Sequence, residues 1–417
     1  MAISAVWEHS VVAEAQVSAL TRPLGLDPVI ARLLVLRGIS SPEAAVRFLN
    51  PSLDQLHDPF LVTDLSAGVD RLLTAIEGGE RIAIHGDYDV DGVTSTVMLR
   101  RVVSLLGGDV IHYIPERLTD GYGLQPEGID RLKGMGIELI VSVDCGIRST
   151  AAAERARDMG IDLVITDHHE PDSTLPPALA VINPRRSDCV YPDKDLAGVG
   201  VAFKVVQALC VRTGHTRWIP SFLKLAAIGT VADVVPLRGE NRVLARLGLD
   251  QLTRGRHTAG LQALIESCGL RGKKIGSYEV GFMLAPRVNA AGRMATPDLA
   301  TRLLLAVDES QVGEARKLAQ RLDEENTRRR EEEANILKQA RLAITADPEI
   351  GAQNLLVVWG EGWHRGVIGI VVEQRQPAAV GDLPQQLGLD PPRLQQVSVV
   401  RQAPQHGQVP PCWTDIG

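Results

Sequence analysis

RIAIHGDYDVDG, residues 81–92, runs from a short apolar segment directly into three aspartates at alternate positions. The apolar start reads as a buried strand, and the polar end marks the place where that strand stops. An extended backbone repeats every two residues, so Asp87, Asp89 and Asp91 are expected to face one side. Three carboxylates held that closely repel one another, and the usual relief is a raised pKa or a bound cation. A solvated Asp/Gly turn is the bland alternative for this segment taken alone.

Outward from residue 92 the texture is constant: DVIHYI (109–114), ELIVSV (138–143), DLVIT (162–166) and LAVIN (179–183) are separated by helical stretches. Apolar runs alternating with helices imply βαβ units, hence an α/β domain with a mainly parallel sheet and flanking helices. In such sheets ligands bind beyond the carboxyl ends of the strands. Each apolar run of interest ends in acidic or imidazole groups. HGDYDVDG follows RIAI, Asp144 follows ELIVSV, Asp167-His168-His169-Glu170 follows DLVIT, and Asp233 follows LKLAAIGTVA (223–232), read as a fourth such apolar run. One of these could be a capping aspartate; four together point to a shared site.

Asp and His without Cys form a hard, oxygen-rich donor set, suited to Mn²⁺ or Mg²⁺ more than to structural zinc. Five or six carboxylates with one or two imidazoles exceed the needs of one ion and match two ions sharing a bridging carboxylate. Phosphoester hydrolysis is the chemistry such a pair serves. Of two adjacent histidines, one can bind metal while the other faces substrate.

The chain has 417 residues, which implies more than one core. Its hydrophobic content of 45% with 23% charged residues is that of a soluble globular protein, and no apolar stretch is long enough to span a bilayer. MAISAVWEHS lacks the basic and apolar regions of a secretory signal, so cytoplasm is the expected location. Five cysteines without a CxxC pair argue against a zinc ribbon or a disulfide framework. The net charge of −7 disfavours a large non-specific nucleic-acid groove. Even so, Arg117, Arg185, Arg186, Arg287 and Arg293 sit near glycines and prolines, where loop arginines suit phosphate recognition.

The four acidic segments, in this order, resemble the motifs of the DHH phosphoesterase superfamily, whose signature triplet stands at 167–169. YIPERLTDGYGL (113–124), VINPRRSD (181–188), LAGVGVAFK (196–204), APRVNAAGR (285–293) and GWHRGVIGIV (362–371) are similar to the RecJ family within it. The likeness runs from roughly residue 20 to 373. It implies metal ligation by Asp89, Asp91, Asp144 as the bridging carboxylate, His168 and Asp233, with Asp87 as a further ligand. His169 would approach the scissile phosphate, and Asp167 would orient the histidines. Arg117, Arg287 and Arg293 would meet DNA phosphates, with Asn289 shaping their loop and His364 with Arg365 facing phosphate or sugar. His85 stands where some relatives carry a metal-binding histidine, and its role is left open.

The implied activity is 5′-to-3′ exonucleolytic hydrolysis of single-stranded DNA in repair and recombination. Two Mn²⁺ or Mg²⁺ ions are implied, with a monomeric enzyme and a single-strand-binding protein and a helicase as partners. The residues alone support only metal-dependent phosphoester hydrolysis; a DHH enzyme acting on small nucleotides or pyrophosphate, and a non-catalytic DNA-binding relative, are the alternatives.

The expected organisation is a helical region at 1–75, a DHH catalytic domain at 76–303, a connecting helix at 304–347, the start of a DHH-associated domain at 348–373 and an atypical tail at 374–417. Residues 308–347 carry the longest helical signal; about 30 residues at 1.5 Å each span roughly 45 Å, enough to bridge two domains. From Gln374 onward, nine glutamines, seven prolines and no lysine occur in 44 residues, so a complete second domain is not expected there. A genuine short tail and a change of reading frame after about Glu373 both fit, the latter better because the break falls inside an element. Impaired exonuclease activity is the corresponding expectation.

Overall fold

The computed structural model describes residues 11–116, 123–346, 355–373 and 396–399. Three short helices open the chain, α1 (Glu14–Leu24), α2 (Pro28–Leu36) and α3 (Pro42–Leu49), with Asp27 and Ser41 capping the second and third through side-chain acceptors. They close a small core of their own around Leu20, Ala31, Leu34 and Ala45. Helix α4 (Leu65–Gly78) then leads into the sheet.

The central domain alternates β1 (Arg81–Gly86), α5 (Val90–Leu105), β2 (Asp109–Tyr113), α6 (Pro126–Gly134), β3 (Leu139–Val143), α7 (Thr150–Asp158), β4 (Asp162–Thr166) and β5 (Ala180–Ile182). All pairings are parallel and the strand order is β2-β1-β3-β4-β5. The five strands read from the sequence between residues 81 and 183 are all present. The period of two sorts the side chains. Ile82, Ile84, Leu139, Val141 and Val164 face the larger core with α4 and α5, whereas Ala83, Ile140, Leu163 and Ile165 face the smaller layer with α6 and α7. Since β2 lies on one side of β1 and β3 on the other, the chain reverses direction between β1 and β3. That reversal opens a crevice beyond their carboxyl ends.

Helices α8 (Gly198–Arg212), α9 (Leu223–Ala232), α10 (Gly239–Arg254) and α11 (Ala259–Ser267) complete the larger core. LKLAAIGTVA, taken with the strands in the sequence reading, is α9. Its residues are buried nearly all round, and a helix with no polar face carries no period by which to tell it from a buried strand. A short turn α12 (Ser277–Glu279) passes through a π-helical stretch at 280–284 into α13 (Ala285–Met294), followed by α14 (Asp298–Leu305).

Helix α15 (Val312–Ala346) is 35 residues long, roughly 52 Å. Its first half packs Ala315, Leu318, Ala319 and Leu322 into the main core, and its second half packs Ile336, Ala340 and Ile344 into a separate cluster. That cluster also holds Val358 of β6 (Leu355–Val358), Trp363, and Val367 and Ile368 of α16 (Arg365–Glu373). Within the tail, β7 (Gln396–Val399) pairs in parallel with β6, a strand that the Gln/Pro-rich composition did not suggest.

Candidate metal centre

The crevice between β1 and β3 collects the acidic segments. The backbone of β1 ends at Gly86, and the chain turns so that Asp89 becomes the N-cap of α5, its Oδ1 accepting from Gly92 N at 3.0 Å. Asp91 lies in the first turn of that helix. The expected extended alternation is therefore corrected: a strand-to-helix turn brings the three carboxylates together. Asp144 follows β3 directly and adopts φ 60°, a left-handed conformation that Asp and Asn tolerate better than most residues. Asp167 to His169 follow β4, and Asp233 closes α9.

Three overlapping groups result, each with ligand atoms within 4.8 Å of one another: Asp87 with Asp89 and Asp144; Asp144 with His168 and His169; and Asp91 with His168 and Asp233. All six residues expected to hold metal are thus brought together, with Asp144 and His168 each shared by two groups. Val234, exposed and β-branched, follows Asp233 at φ 63°, a strained conformation at the edge of the cluster.

The electrostatics of the metal-free cluster are unfavourable. Burial, then the charges of neighbouring carboxylates, raise the pKa values of Asp91 and Asp144 well above the ordinary range. Asp91 stays raised although it accepts hydrogen bonds from Gly198 N and Val199 N, both at 2.7 Å, at the start of α8. Burial and Asp89 push both Asp87 and Asp233 to about 7. Burial, followed by the charge of His169, lowers His168 to about 4, so its imidazole is neutral and available as a ligand. His168 Nε2 and Asp144 Oδ1 approach to 3.1 Å, yet both atoms are buried without a hydrogen-bond partner, as is Asp233 Oδ2. With Asp144 pushed toward its neutral form and His168 neutral, this approach is not an ion pair. Buried, mutually repelling acceptors with a neutral imidazole are what a divalent cation would satisfy, so the residues fit the ions expected from the sequence.

Asp167 differs from its neighbours. Burial acts to raise its pKa, but the hydrogen bond and charge of His169, with backbone donors Ile147 and His169, more than offset it and hold the carboxyl below its ordinary range. Its Oδ1 lies 2.7 Å from His169 Nδ1. That contact raises the pKa of His169 and fixes its orientation while leaving the ring half-exposed. His85 lies outside the three groups: it is buried at the end of β1, its Nδ1 3.7 Å from Cys145 Sγ and its ring tilted against Tyr113.

The residues expected to contact substrate are distributed differently. Arg117 lies outside the described residues. APRVNAAGR, read as a loop, is helix α13, so Arg287 and Arg293 are helical. Arg287 is held by Asp323 of α15, through Nε at 2.9 Å and Nη2 at 2.7 Å, and its Nη1 donates to Met283 O. This pairing ties α13 to α15. Arg293 donates to Gly366 O at 3.1 Å and His364 Nδ1 accepts from Gly366 N at 3.1 Å, so both brace the start of α16. Asn289, expected to shape a loop around these arginines, is helical and reaches the acidic loop instead, its Oδ1 accepting from Val90 N at 3.0 Å. Arg186 pairs with Asp64 and Asp188, and Arg185 with Glu170 and Asp195.

Sequence reasoning missed two glycines. Built Cβ atoms would press on Asp144 Oδ1 at Gly198, and on Thr94 Oγ1 (2.5 Å) and Asp91 Oδ1 (2.9 Å) at Gly229. It also missed the fully buried Lys204–Glu240 pair at 2.5 Å, which Tyr191 and the backbone of His57 complete; a lysine inside the apolar run VGVAFKVV was the signal. A cavity of about 1020 Å³ lies between α3 and the start of α10 and holds none of the clustered ligands. Chemistry, rather than volume, locates this site.

Known proteins resemble this chain over most of its length. Residues 81–230 match the family model described as "DHH family, N-terminal domain". The single-stranded-DNA-specific exonuclease RecJ of Bacillus subtilis is 40% identical over 369 residues, covering 88% of this chain. The chain spans only 45% of that protein's length. A crystal structure of RecJ from Thermus thermophilus in complex with Mn²⁺ superposes with TM-score 0.74 at 33% identity, covering 94% of this chain and 53% of that one. Another, of exonuclease RecJ bound to manganese, has TM-score 0.69 at 33% identity and covers 84% of this chain and 82% of that one. With the β1–β3 crevice, the 167–169 triplet and this extent of likeness, the chain belongs to the RecJ family of DHH proteins.

Proposed function

We propose that this chain hydrolyses phosphodiester bonds of single-stranded DNA, releasing nucleotides from the 5′ end, with two Mn²⁺ or Mg²⁺ ions. The observation that carries this reading is the sharing of Asp144 between two ligand groups, the arrangement a bridging carboxylate requires. Asp87, Asp89 and Asp144 would hold one ion; Asp91, His168 and Asp233 would hold the other, to which Asp144 is joined by its 3.1 Å approach to His168. When bound, such ions supply Lewis acidity and neutralise charge at a phosphoryl group.

The chain's own residues do the rest. Asp167 fixes His169 through Nδ1, leaving the other ring nitrogen to meet a phosphate oxygen, and favours the protonated ring that would donate there. Backbone donors at the start of α8 hold Asp91, and Asn289 holds the loop that carries Asp89. Substrate and polarity come from the family likeness. So do a role in DNA repair and recombination in the cytoplasm, a monomeric enzyme, and a single-strand-binding protein and a helicase as partners.

The test is to incubate the full chain with Mn²⁺ and compare 5′-phosphorylated single-stranded DNA, a dinucleotide and pyrophosphate. Nucleotide release from the DNA, with slower turnover of the small substrates, is the expected result. Preference for pyrophosphate or the dinucleotide would replace the nuclease reading with a small-substrate phosphoesterase.

A further inference from the structure

At the end of α5 remote from the acidic cluster, a cavity of about 170 Å³ is lined by Arg101 of α5, Ser221, Lys224 of α9, Gln251 of α10, and Arg256 and Thr258 of the α10–α11 connection, over three leucines. It contains no carboxylate. Among the described residues, neither Arg101, Lys224 nor Arg256 has a carboxylate partner; Lys224 Nζ donates to the carbonyl of Arg256, and Arg101 leans over the ring of Phe222 with its centre 5.8 Å away. Three cations drawn together from separate elements without a counter-charge repel one another unless an anion joins them. Burial lowers the pKa of Arg101, and burial followed by the charge of Arg101 lowers that of Lys224. Adjacent His257 is lowered by burial and then by Lys224, and its Nδ1 is buried without a hydrogen-bond partner.

The size of the cavity limits the ligand. Sites for drug-sized or cofactor ligands begin at about 300 Å³, so this one has room for a single tetrahedral anion and not for a nucleoside. Two guanidinium groups with an ammonium, flanked by two hydroxyls and an amide, supply donors on several sides, as phosphate oxygens require. We propose that Arg101, Lys224 and Arg256 form a second, metal-independent site for one phosphate group. Ten residues of α5 separate Arg101 from Asp91, about 15 Å along the helix, so the site is distinct from the acidic cluster. The group could belong to a free anion, inorganic phosphate or the phosphate of a mononucleotide, or to the backbone of a bound strand; the chemistry is the same for each.

The test uses the full chain with Mg²⁺ present and ionic strength held constant with chloride. Melting temperature is followed while inorganic phosphate, deoxynucleoside monophosphate or a short single-stranded oligonucleotide with hydrolysis-resistant phosphorothioate linkages is titrated into wild type, Lys224→Gln and Arg101→Gln. Any phosphate affinity of the acidic cluster is common to all three proteins, so the difference between them isolates the second site. Without phosphate both variants should melt at or above the wild-type temperature, because each removes a repelling charge. With phosphate at about tenfold its Kd, wild type should rise by about 2 °C more than either variant. A variant-sensitive rise with the mononucleotide as well as phosphate identifies a free anion, and one with the oligonucleotide alone identifies a strand phosphate; both support the site. Equal shifts in wild type and variants with every probe, or no shift in any, would overturn it. Failure of the nuclease reading would leave these shifts unchanged.

Discussion

Asp144 carries the centre through two properties that a sequence shows only in part: its place after β3 is legible, its left-handed backbone is not. The conformation makes Asn the informative replacement, since it tolerates φ near 60° and removes only the charge. Asp144→Asn should lower metal-dependent nucleotide release by at least about 10³-fold, the effect of several kcal/mol of lost charge stabilisation, in a steady-state assay. In urea with EDTA it should be at least as stable as wild type, because the cost of keeping a buried carboxyl protonated among its neighbours has gone. A matching prediction concerns pH. Asp87 and Asp233 titrate at about 7 in the metal-free fold, above their ordinary value of 3.8, so the folded state binds protons that the unfolded chain releases. Their contribution to stability is full below about pH 4 and is lost as pH rises through about 7. In EDTA the urea midpoint should fall between about pH 5 and about pH 8, and Mn²⁺ should reverse the trend. The identities of Asp87, Asp89 and Asp91 were readable; their geometry was not, because capping of α5 by Asp89 ends the extended backbone that the alternation suggested.

Among elements, the start of α8 and helix α13 position the site without supplying ligands. Gly198 leaves room for the Asp144 carboxylate while its N–H holds Asp91. Gly198→Ala should therefore weaken Mn²⁺ affinity by about 10- to 100-fold, the usual effect of losing a ligand's support, with helical circular dichroism unchanged; dialysis against Mn²⁺ measures it. Retained affinity would show that α8 can shift to accommodate the methyl group. On the other side, Asn289 and the close approach of Gly292 to Tyr88 seat α13 on the acidic loop. LAGVGVAFK and APRVNAAGR were both recognisable as stretches of family type. What they do was not, because their contacts join residues about 100 and 200 positions apart, Gly198 to Asp91 and Asn289 to Val90. The helical state of α9 was hidden for a different reason, its burial on all sides.

At the scale of the whole molecule, the strand order places the acidic segments after β1, β3 and β4 at one crevice, α9 brings Asp233 to it, and α15 links the main core to a small second cluster. Sequence alone indicated both the parallel sheet and the long helix, since period two and period 3.6 persist there over many residues. The pairing of β6 with β7 could not be read, because composition gives no register for a strand flanked by Gln and Pro. Trp363, buried against α15 with its Nε1 donating to Gln339 Oε1 at 2.8 Å, anchors the second cluster. Trp363→Ala should cost about 3–5 kcal/mol locally. Hydrogen exchange should show lost protection in 336–346 and 365–371 with β1 to β5 unchanged; uniform loss would mean that the two clusters unfold as one. The central claim is that the six ligands form a two-ion centre. Its most direct test is the stoichiometry of Mn²⁺ bound by the full chain at equilibrium: two ions in wild type and at most one in Asp144→Asn support it, and a single ion in wild type, or two retained by the variant, would contradict it.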